Sequence, residues 1–139
     1  MSAARAAVDG VRRPVAVLGC GAMGEALLAG LLSHGMPAED VLVAVRRPGR
    51  GRELEDRHGV RVLPAAEAAA RAAVLVVAVK PQDVPALLAE VAPHVRPDSL
   101  VVSIAAGVAT ATLEAALPAG AAVARVMPST PASIIASAR

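Results

Sequence analysis

Residues 15–32, VAVLGCGAMGEALLAGLL, join an apolar β-branched run to an Ala- and Leu-rich run through three glycines. Gly19, Gly21 and Gly24 follow the spacing G-x-G-x-x-G, which is typical of a dinucleotide-binding turn between a strand and a helix. In such a turn the glycines allow a tight bend, close approach of backbone to a pyrophosphate, and close helix–strand packing. Free amides and the positive end of the helix dipole would face the diphosphate. A plain strand-to-helix corner is the alternative, but the place of the motif after the first predicted strand favours cofactor binding.

The rest of the chain alternates short β-branched runs with longer Ala- and Leu-rich runs. Apolar strands without polar alternation are typical of a parallel sheet that is covered on both faces. The sequence therefore predicts an α/β fold with a doubly wound, Rossmann-type parallel sheet. The predicted strands are residues 15–18, 41–45, 60–63 (the weakest), 74–79, 100–104 and 122–127. The predicted helices are residues 22–34, 50–58, 65–72, 84–95 and a last one from Thr110, its predicted N-cap, to Pro118.

The composition limits the class of protein. The chain has 139 residues, the size of one domain, and it is 55% hydrophobic without any Phe, Tyr or Trp. The lack of aromatic rings disfavours nucleic-acid binding by base stacking. The lone cysteine, Cys20, excludes an internal disulfide and fits a reducing compartment, and a small residue tolerated in the turn is favoured over a reactive thiol. No signal peptide is visible, and no apolar run approaches the ~20 residues of a membrane span. We therefore expect a cytoplasmic protein with no membrane contact.

The end of the second predicted strand selects the cofactor. A carboxylate at this point would bind the ribose 2′-hydroxyl of NAD, but the sequence has VAVRRPGRGR there, with Arg46 and Arg47 in place of the acid. On charge alone, these arginines together with Arg50 and Arg52 would be interpreted as a solvated loop. Guanidinium groups at this position also suit a 2′-phosphate, which they bind through two charge-assisted hydrogen bonds. The sequence therefore predicts NADP(H) in preference to NAD(H).

Two further stretches follow predicted strands, where ligands bind in open α/β sheets. They are AVKPQ (78–82) and SIAAGV (103–108). The small residues of the second stretch would let backbone reach a nicotinamide ribose, or they reflect turn geometry in an Ala-rich chain. Lys80 is a candidate general acid or a surface cation, and the spacing does not decide between them. No metal site is predicted, and the three histidines His34, His58 and His94 fall at predicted helix ends, which favours capping or solvent exposure over catalysis.

Four separated motifs, GCGAMGEALLAGLL, AVKPQ, SIAAGV and RVMPSTPA, occur in order and at sensible spacing. Together they resemble the amino-terminal domain of Δ1-pyrroline-5-carboxylate reductase over residues 14–132. The resemblance implies hydride transfer from NAD(P)H to the C=N bond of pyrroline-5-carboxylate, which gives proline. In such a reaction the cofactor carries the chemistry, while the protein positions the two reactants and supplies the electrostatic environment. No catalytic side chain is therefore assigned.

The resemblance also implies roles for individual residues. The pyrophosphate turn is formed by Gly19, Cys20, Gly21, Ala22, Met23 and Gly24, with Arg46 and Arg47 at the adenosine end. The nicotinamide half is lined by Ala78, Val79, Lys80, Pro81, Ala105, Ala106 and Gly107. The substrate is bordered by Met127, Pro128, Ser129, Thr130 and Pro131.

The sequence departs from the family pattern in three places. Ser129 stands where the family usually has Asn, and Ala65 stands two positions before Glu67 where an Asn is common, which implies the loss of one cofactor hydrogen bond. The third departure is at the end of the sequence: the family has a helical carboxy-terminal domain that forms the dimer, whereas these residues stop at Arg139. A homo-oligomer is therefore expected only where that domain is present. We expect residues 1–13 to form a loose leader, 14–132 an NADP-binding domain and 133–139 the truncated start of a following segment.

Three other interpretations stay open. The chain could be another NADP oxidoreductase domain, of the deazaflavin-dependent type, although SIAAGV and MPSTP favour the resemblance to pyrroline-5-carboxylate reductase. It could also be a nucleotide-binding module without catalysis, or a truncated inactive product.

Overall fold

Six parallel strands form one sheet in the computed structural model, which describes residues 14–126. The strands are β1 Val15–Leu18, β2 Val41–Ala44, β3 Arg61–Val62, β4 Val74–Val77, β5 Leu100–Ser103 and β6 Ala122–Arg125. Their spatial order is β3-β2-β1-β4-β5-β6, so the order reverses between β1 and β4. This confirms the predicted doubly wound parallel sheet and places its switch point at β1 and β4.

Five α-helices join these strands within the described range. They are α1 Ala22–Ser33, α2 Pro48–His58, α3 Ala65–Arg71, α4 Val84–Val91 and α5 Thr110–Ala116. Three single 3₁₀ turns accompany them: Ala38–Asp40, Pro81–Asp83 and Ala92–His94. Each of these helices is too short or too polar to cross a lipid bilayer.

The two faces of the sheet carry separate apolar layers, which explains the lack of polar alternation along the strands. In β1, Val17 packs with Leu28 of α1 and Leu54 of α2, whereas Leu18 packs with the residues of α3, α4 and α5. All four residues of β1 are buried, because helices cover the strand on both sides. Apart from the Cys20 thiol, the apolar core of the described residues is built from aliphatic side chains.

Two helix ends follow the expected glycine chemistry. Helix α1 ends at Ser33, and Gly35 just beyond it has φ +101° and donates its amide to the Leu32 carbonyl. Helix α2 ends at His58, with Gly59 in the left-handed conformation at φ +73°. Glycine is favoured at these positions because it has no Cβ to clash there.

The structure corrects several predicted boundaries. Helix α2 begins at Pro48 rather than at residue 50, because proline fits the first helical position. Helix α4 ends at Val91 and continues as a 3₁₀ turn, since Pro93 lacks the amide that an α-helix would need. Thr110 is the first residue of α5, and Ala109 is its N-cap without a side-chain hydrogen bond, so the predicted capping by Thr110 is wrong. Strands β2 to β5 are each one or two residues shorter than predicted at one end or at both.

Candidate cofactor site

The carboxyl ends of the strands lie in one row. Leu18 is level with Ala44 of β2 and Val77 of β4, and Val77 is level with Ser103 of β5. The chain segments that leave these strands are joined by backbone hydrogen bonds, including Gly19 N to Ala44 O at 2.7 Å and Ala78 N to Leu18 O at 2.9 Å. A single edge of the parallel sheet is therefore where the glycine turn, the stretches after β4 and β5, and the segment with Arg46 and Arg47 all begin.

Gly19 makes the turn after β1 and is required there for two reasons. Its φ of +81° is a conformation that L side chains rarely adopt. In addition, a Cβ at Gly19 would lie 2.1 Å from Val79 Cγ1 and 3.1 Å from Val79 Cα. The turn after β1 and the segment after β4 are thus in close contact at the switch point.

Gly21 is exposed, and a Cβ built on it meets no atom within 4 Å. It is the N-cap of α1, and the first intrahelical bond runs from Glu25 N to Gly21 O at 2.8 Å. The amides of Ala22, Met23 and Gly24 precede that bond and have no partner within the helix. Open space beside free amides at the positive end of a helix is what a pyrophosphate requires, so the residues present fit the expected group.

Gly24 and Cys20 lie beneath the turn. Gly24 is buried, and a Cβ there would lie 3.4 Å from Ala78 Cβ, which is already close contact. Cys20 is 3% exposed, and burial raises the pKa of its thiol to about 11 despite the nearby Arg50. The thiol is therefore protonated at neutral pH and poorly nucleophilic, in agreement with the structural interpretation of Cys20.

Arg46 and Arg47 come one residue after the end of β2 and are both exposed. Arg47 is also the N-cap of α2, so the two cations stand beside the positive end of that helix. Both features favour a negatively charged group at this point. Arg52 is exposed on α2 and Arg50 is half-buried, so the four arginines do not form one loop.

A carboxylate in the first turn of α1 gathers three basic side chains of α2, which the sequence analysis missed. Glu25 Oε1 accepts from Arg50 Nη2 at 2.8 Å, and Glu25 Oε2 accepts from His58 Nε2 at 2.8 Å and from Arg57 Nη1. Hydrogen bonds from His58, Arg57 and Arg50 lower the pKa of Glu25 from 4.5 to about 2, with His58 the largest contributor. We call these four residues the Glu25 cluster.

The position of His58 corrects the expectation of capping or exposure. Its side chain is only 14% exposed and pairs with Glu25, whereas His34 and His94 are exposed as expected. A signal for the cluster exists in the sequence, because Arg50, Glu53 and Arg57 recur at helical spacing. Their partner, however, lies 25 to 33 residues away along the chain.

Ala78 and Val79 are partly buried where the chain leaves β4, and Lys80 and Pro81 after them are exposed. Lys80 is the N-cap of the 3₁₀ turn Pro81–Asp83. The stretch thus lies at the switch point beside Gly19, with Lys80 at its solvent side. Its role as acid or surface cation remains a prediction.

The stretch after β5 is shaped by a buried hydroxyl. Ser103 is fully buried, and its Oγ accepts from the Ala105 amide at 3.2 Å. Ala105 is buried, Ala106 and Gly107 are exposed, and Gly107 has φ +76°. The predicted substrate-bordering residues lie outside the described range: Met127, Pro128, Ser129, Thr130 and Pro131.

Comparison with known proteins identifies relatives for this arrangement. The family model described as NADP oxidoreductase, coenzyme F420-dependent, matches residues 14–107, well over half of the chain. A pyrroline-5-carboxylate reductase from Mycobacterium leprae is 42% identical over 99 residues, which are 68% of this chain and 34% of that protein. The Escherichia coli reductase is 36% identical over 129 residues, which are 91% of this chain and 48% of that protein.

A solved structure agrees with the sequence matches. The pyrroline-5-carboxylate reductase from Coxiella burnetii superposes with a TM-score of 0.80 at 27% identity, over 88% of this chain and 46% of that one. The chain thus resembles the amino-terminal, cofactor-binding part of these reductases. It spans about half or less of the length of the curated relatives that it matches.

Proposed function

The chain belongs to the family of NADP oxidoreductases described as coenzyme F420-dependent, and we propose that it forms the NADPH-binding half of a pyrroline-5-carboxylate reductase. The identity of 36–42% to reductases of that name supports this choice within the family. The reaction would be hydride transfer to the C=N bond of 1-pyrroline-5-carboxylate, which gives L-proline.

The proposal rests on the two turns that meet at the switch point of the sheet, after β1 and after β4. Ligands of open α/β sheets bind beyond the carboxyl ends of the strands at this point. Gly19 brings the turn after β1 against Val79, and Gly21 leaves open space in front of the α1 amides. The residues proposed for the pyrophosphate and for the nicotinamide half are therefore neighbours.

The preference for NADPH rests on Arg46 and Arg47. They are exposed at the end of β2, the neighbour of β1, and no carboxylate stands at these two positions. A 2′-phosphate would be bound by their guanidinium groups and by the amides at the start of α2. The adenosine ribose of NADH carries an uncharged 2′-hydroxyl instead, which interacts much less strongly with these cations.

The bound nicotinamide would supply the hydride. The chain's own residues would orient it: the turn after β1 holds the diphosphate, and the segments after β4 and β5 exclude water from the nicotinamide side. We propose that Met127, Pro128, Ser129, Thr130 and Pro131 border the imine acid. Holding the two reactants together contributes up to about 7–11 kcal/mol to such reactions.

Steady-state oxidation of NADPH in the presence of pyrroline-5-carboxylate tests this proposal. We expect the 139-residue chain alone to bind the cofactor but to turn over very slowly, because it corresponds to less than half of the E. coli reductase. Adding the carboxy-terminal half of that reductase as a separate polypeptide should raise the rate. Rapid turnover by the 139 residues alone would contradict the half-enzyme proposal and would place the imine site within this chain.

The description of the family model favours a second candidate, an oxidoreductase that exchanges hydride between NADP and a deazaflavin. The same assay distinguishes it, with a reduced or oxidised deazaflavin in place of the imine. Turnover with the deazaflavin and none with the imine, with the added half present, would favour the second candidate.

A further inference from the structure

Arg50 connects helix α2 to the backbone of the glycine turn. Its Nε donates to the carbonyl oxygen of Cys20 at 3.1 Å, and its Nη2 donates to Glu25 Oε1 at 2.8 Å. The side chain is 23% exposed and thus largely enclosed between the two helices. One planar guanidinium therefore bridges the turn and the first turn of α1.

The contact with Cys20 fixes the peptide that joins Cys20 to Gly21. The carbonyl end of that peptide accepts from Arg50, and its amide end donates from Gly21 N to Gly19 O at 3.0 Å. A peptide plane that is bonded at both ends cannot rotate without losing a hydrogen bond. Because the amides of Ala22 and Met23 follow this peptide directly, its fixed orientation also determines where they point.

The contact with Glu25 addresses an electrostatic problem. A carboxylate in the first turn of α1 interacts favourably with the positive end of the helix dipole, but it repels a diphosphate bound at the same helix end. Arg50, Arg57 and His58 surround Glu25 and offset its charge. Arg50 and Arg57 each pair with both Glu25 and Glu53, but Arg50 also donates to the backbone of the turn.

We propose that Arg50 is a positioning residue for the cofactor: it holds the Cys20–Gly21 peptide in the orientation that presents the α1 amides to the pyrophosphate. The inference rests on the proposed function, since it requires a dinucleotide at this turn. Arg50 acts on the shared diphosphate and not on the 2′-phosphate. Its loss therefore weakens NADPH and NADH by the same factor, unlike the loss of Arg46 and Arg47.

The experiment compares Arg50→Met, Arg50→Lys and the matched control Arg57→Met, which removes a partner of the same carboxylate. Calorimetry gives the Kd for NADPH and NADH, urea unfolding gives stability, and amide NMR of the cofactor-free chain follows Gly21 and Ala22. We expect Arg50→Met to weaken both cofactors about tenfold, the value of one charge-assisted hydrogen bond. Arg57→Met should change either Kd by less than about twofold, because Arg57 is exposed to solvent and Arg50 and His58 still offset the Glu25 charge. Arg50→Lys should fall between wild type and Arg50→Met, because an ammonium group cannot span both acceptors in the way a guanidinium does.

The NMR readout keeps the inference separate from the proposed function. The Gly21 and Ala22 amides should shift in Arg50→Met and stay in place in Arg57→Met, whether or not a cofactor binds. Wild type that binds neither cofactor would overturn the proposed function, and Gly21 and Ala22 amides unmoved in Arg50→Met would overturn the inference. Equal weakening by Arg50→Met and Arg57→Met would also overturn it, since the effect would then be one of charge alone. If Arg50→Met does not fold, Arg50→Lys with the wild-type Kd is the result that overturns it.

Discussion

The turn after β1 and the turn after β5 lie at the same edge of the sheet and use the same kinds of residue, but they are held in different ways. Both contain a glycine with positive φ, +81° at Gly19 and +76° at Gly107. A Cβ on Gly19 would collide with Val79, whereas a Cβ on Gly107 would meet no atom within 4 Å. The first turn is fixed by packing and by Arg50, and the second by the buried hydroxyl of Ser103.

One sequence feature, a glycine in a turn, thus has two physical causes. At Gly107 only the backbone conformation requires it. At Gly19 the conformation and the close approach of the segment after β4 both require it. The turn that is held more tightly is the one proposed to bind the diphosphate, where misplacement of an amide costs most.

The largest effect is expected for Gly19→Ala compared with Gly107→Ala. The added methyl at Gly107 faces only the left-handed backbone strain, about 1–2 kcal/mol. At Gly19 overpacking against Val79 adds about 1–3 kcal/mol to that strain. Urea unfolding of the two variants measures both losses. Equal losses would mean that Val79 moves aside freely and that the two turns are held alike.

Binding measurements on Gly21→Val and Ala106→Val compare the two turns at exposed positions. Because the Cβ position of Gly21 is open and its φ is −82°, the variant should fold and should lose about 100-fold or more in NADPH affinity. Ala106→Val should weaken binding less, since Ala106 is proposed to line the nicotinamide half and not the diphosphate. Circular dichroism and cofactor titration on the same samples provide the check. Unchanged affinity in Gly21→Val would mean that the turn is only a corner.

A smaller effect concerns the Glu25 cluster behind the first turn. The pKa of Glu25 is lowered in the folded protein from 4.5 to about 2, so its stabilisation is present above about pH 4.5 and is lost as the pH falls towards 2. Glu25→Gln should lower stability at pH 7 and flatten its fall between pH 4.5 and 2. Glu67→Gln, which removes an exposed pair with Arg71, is the control and should change little. A wild-type pH profile for Glu25→Gln would show that the cluster contributes nothing to folding.

The fold was readable from the sequence because it depends on local patterns. Strand β1 was predicted at its observed bounds, and the ends of α1 and α2 were marked by Gly35 and Gly59. Strand β4 was predicted too long because Ala78 and Val79 are as apolar as the strand itself. The strand ends where Val79 lies against the Gly19 turn, and this tertiary contact is not visible in the local sequence.

The candidate site could be predicted from the sequence only where a motif has a fixed spacing. The glycine turn has one, and the parallel sheet brings the stretches after β4 and β5 to it. The contact between Arg50 and the Cys20 carbonyl spans 30 residues and depends on how α2 packs beside α1. Helical spacing groups Arg50 with Glu53 and Arg57 and separates it from Arg52, but it does not indicate that Arg50 reaches the Cys20 carbonyl.

Calorimetric titration of the 139-residue chain with NADPH and NADH, beside an Arg46→Ala, Arg47→Ala double variant, is the most direct test of the proposed cofactor site. The wild type should bind NADPH more tightly than NADH, and the double variant should lose about 1.5–3 kcal/mol with NADPH, the value of a charge-assisted contact. Its affinity for NADH should change little, because the diphosphate turn is untouched. Equal affinity of the wild type for the two cofactors would contradict the assignment of Arg46 and Arg47. Failure to bind either one would contradict the cofactor site itself.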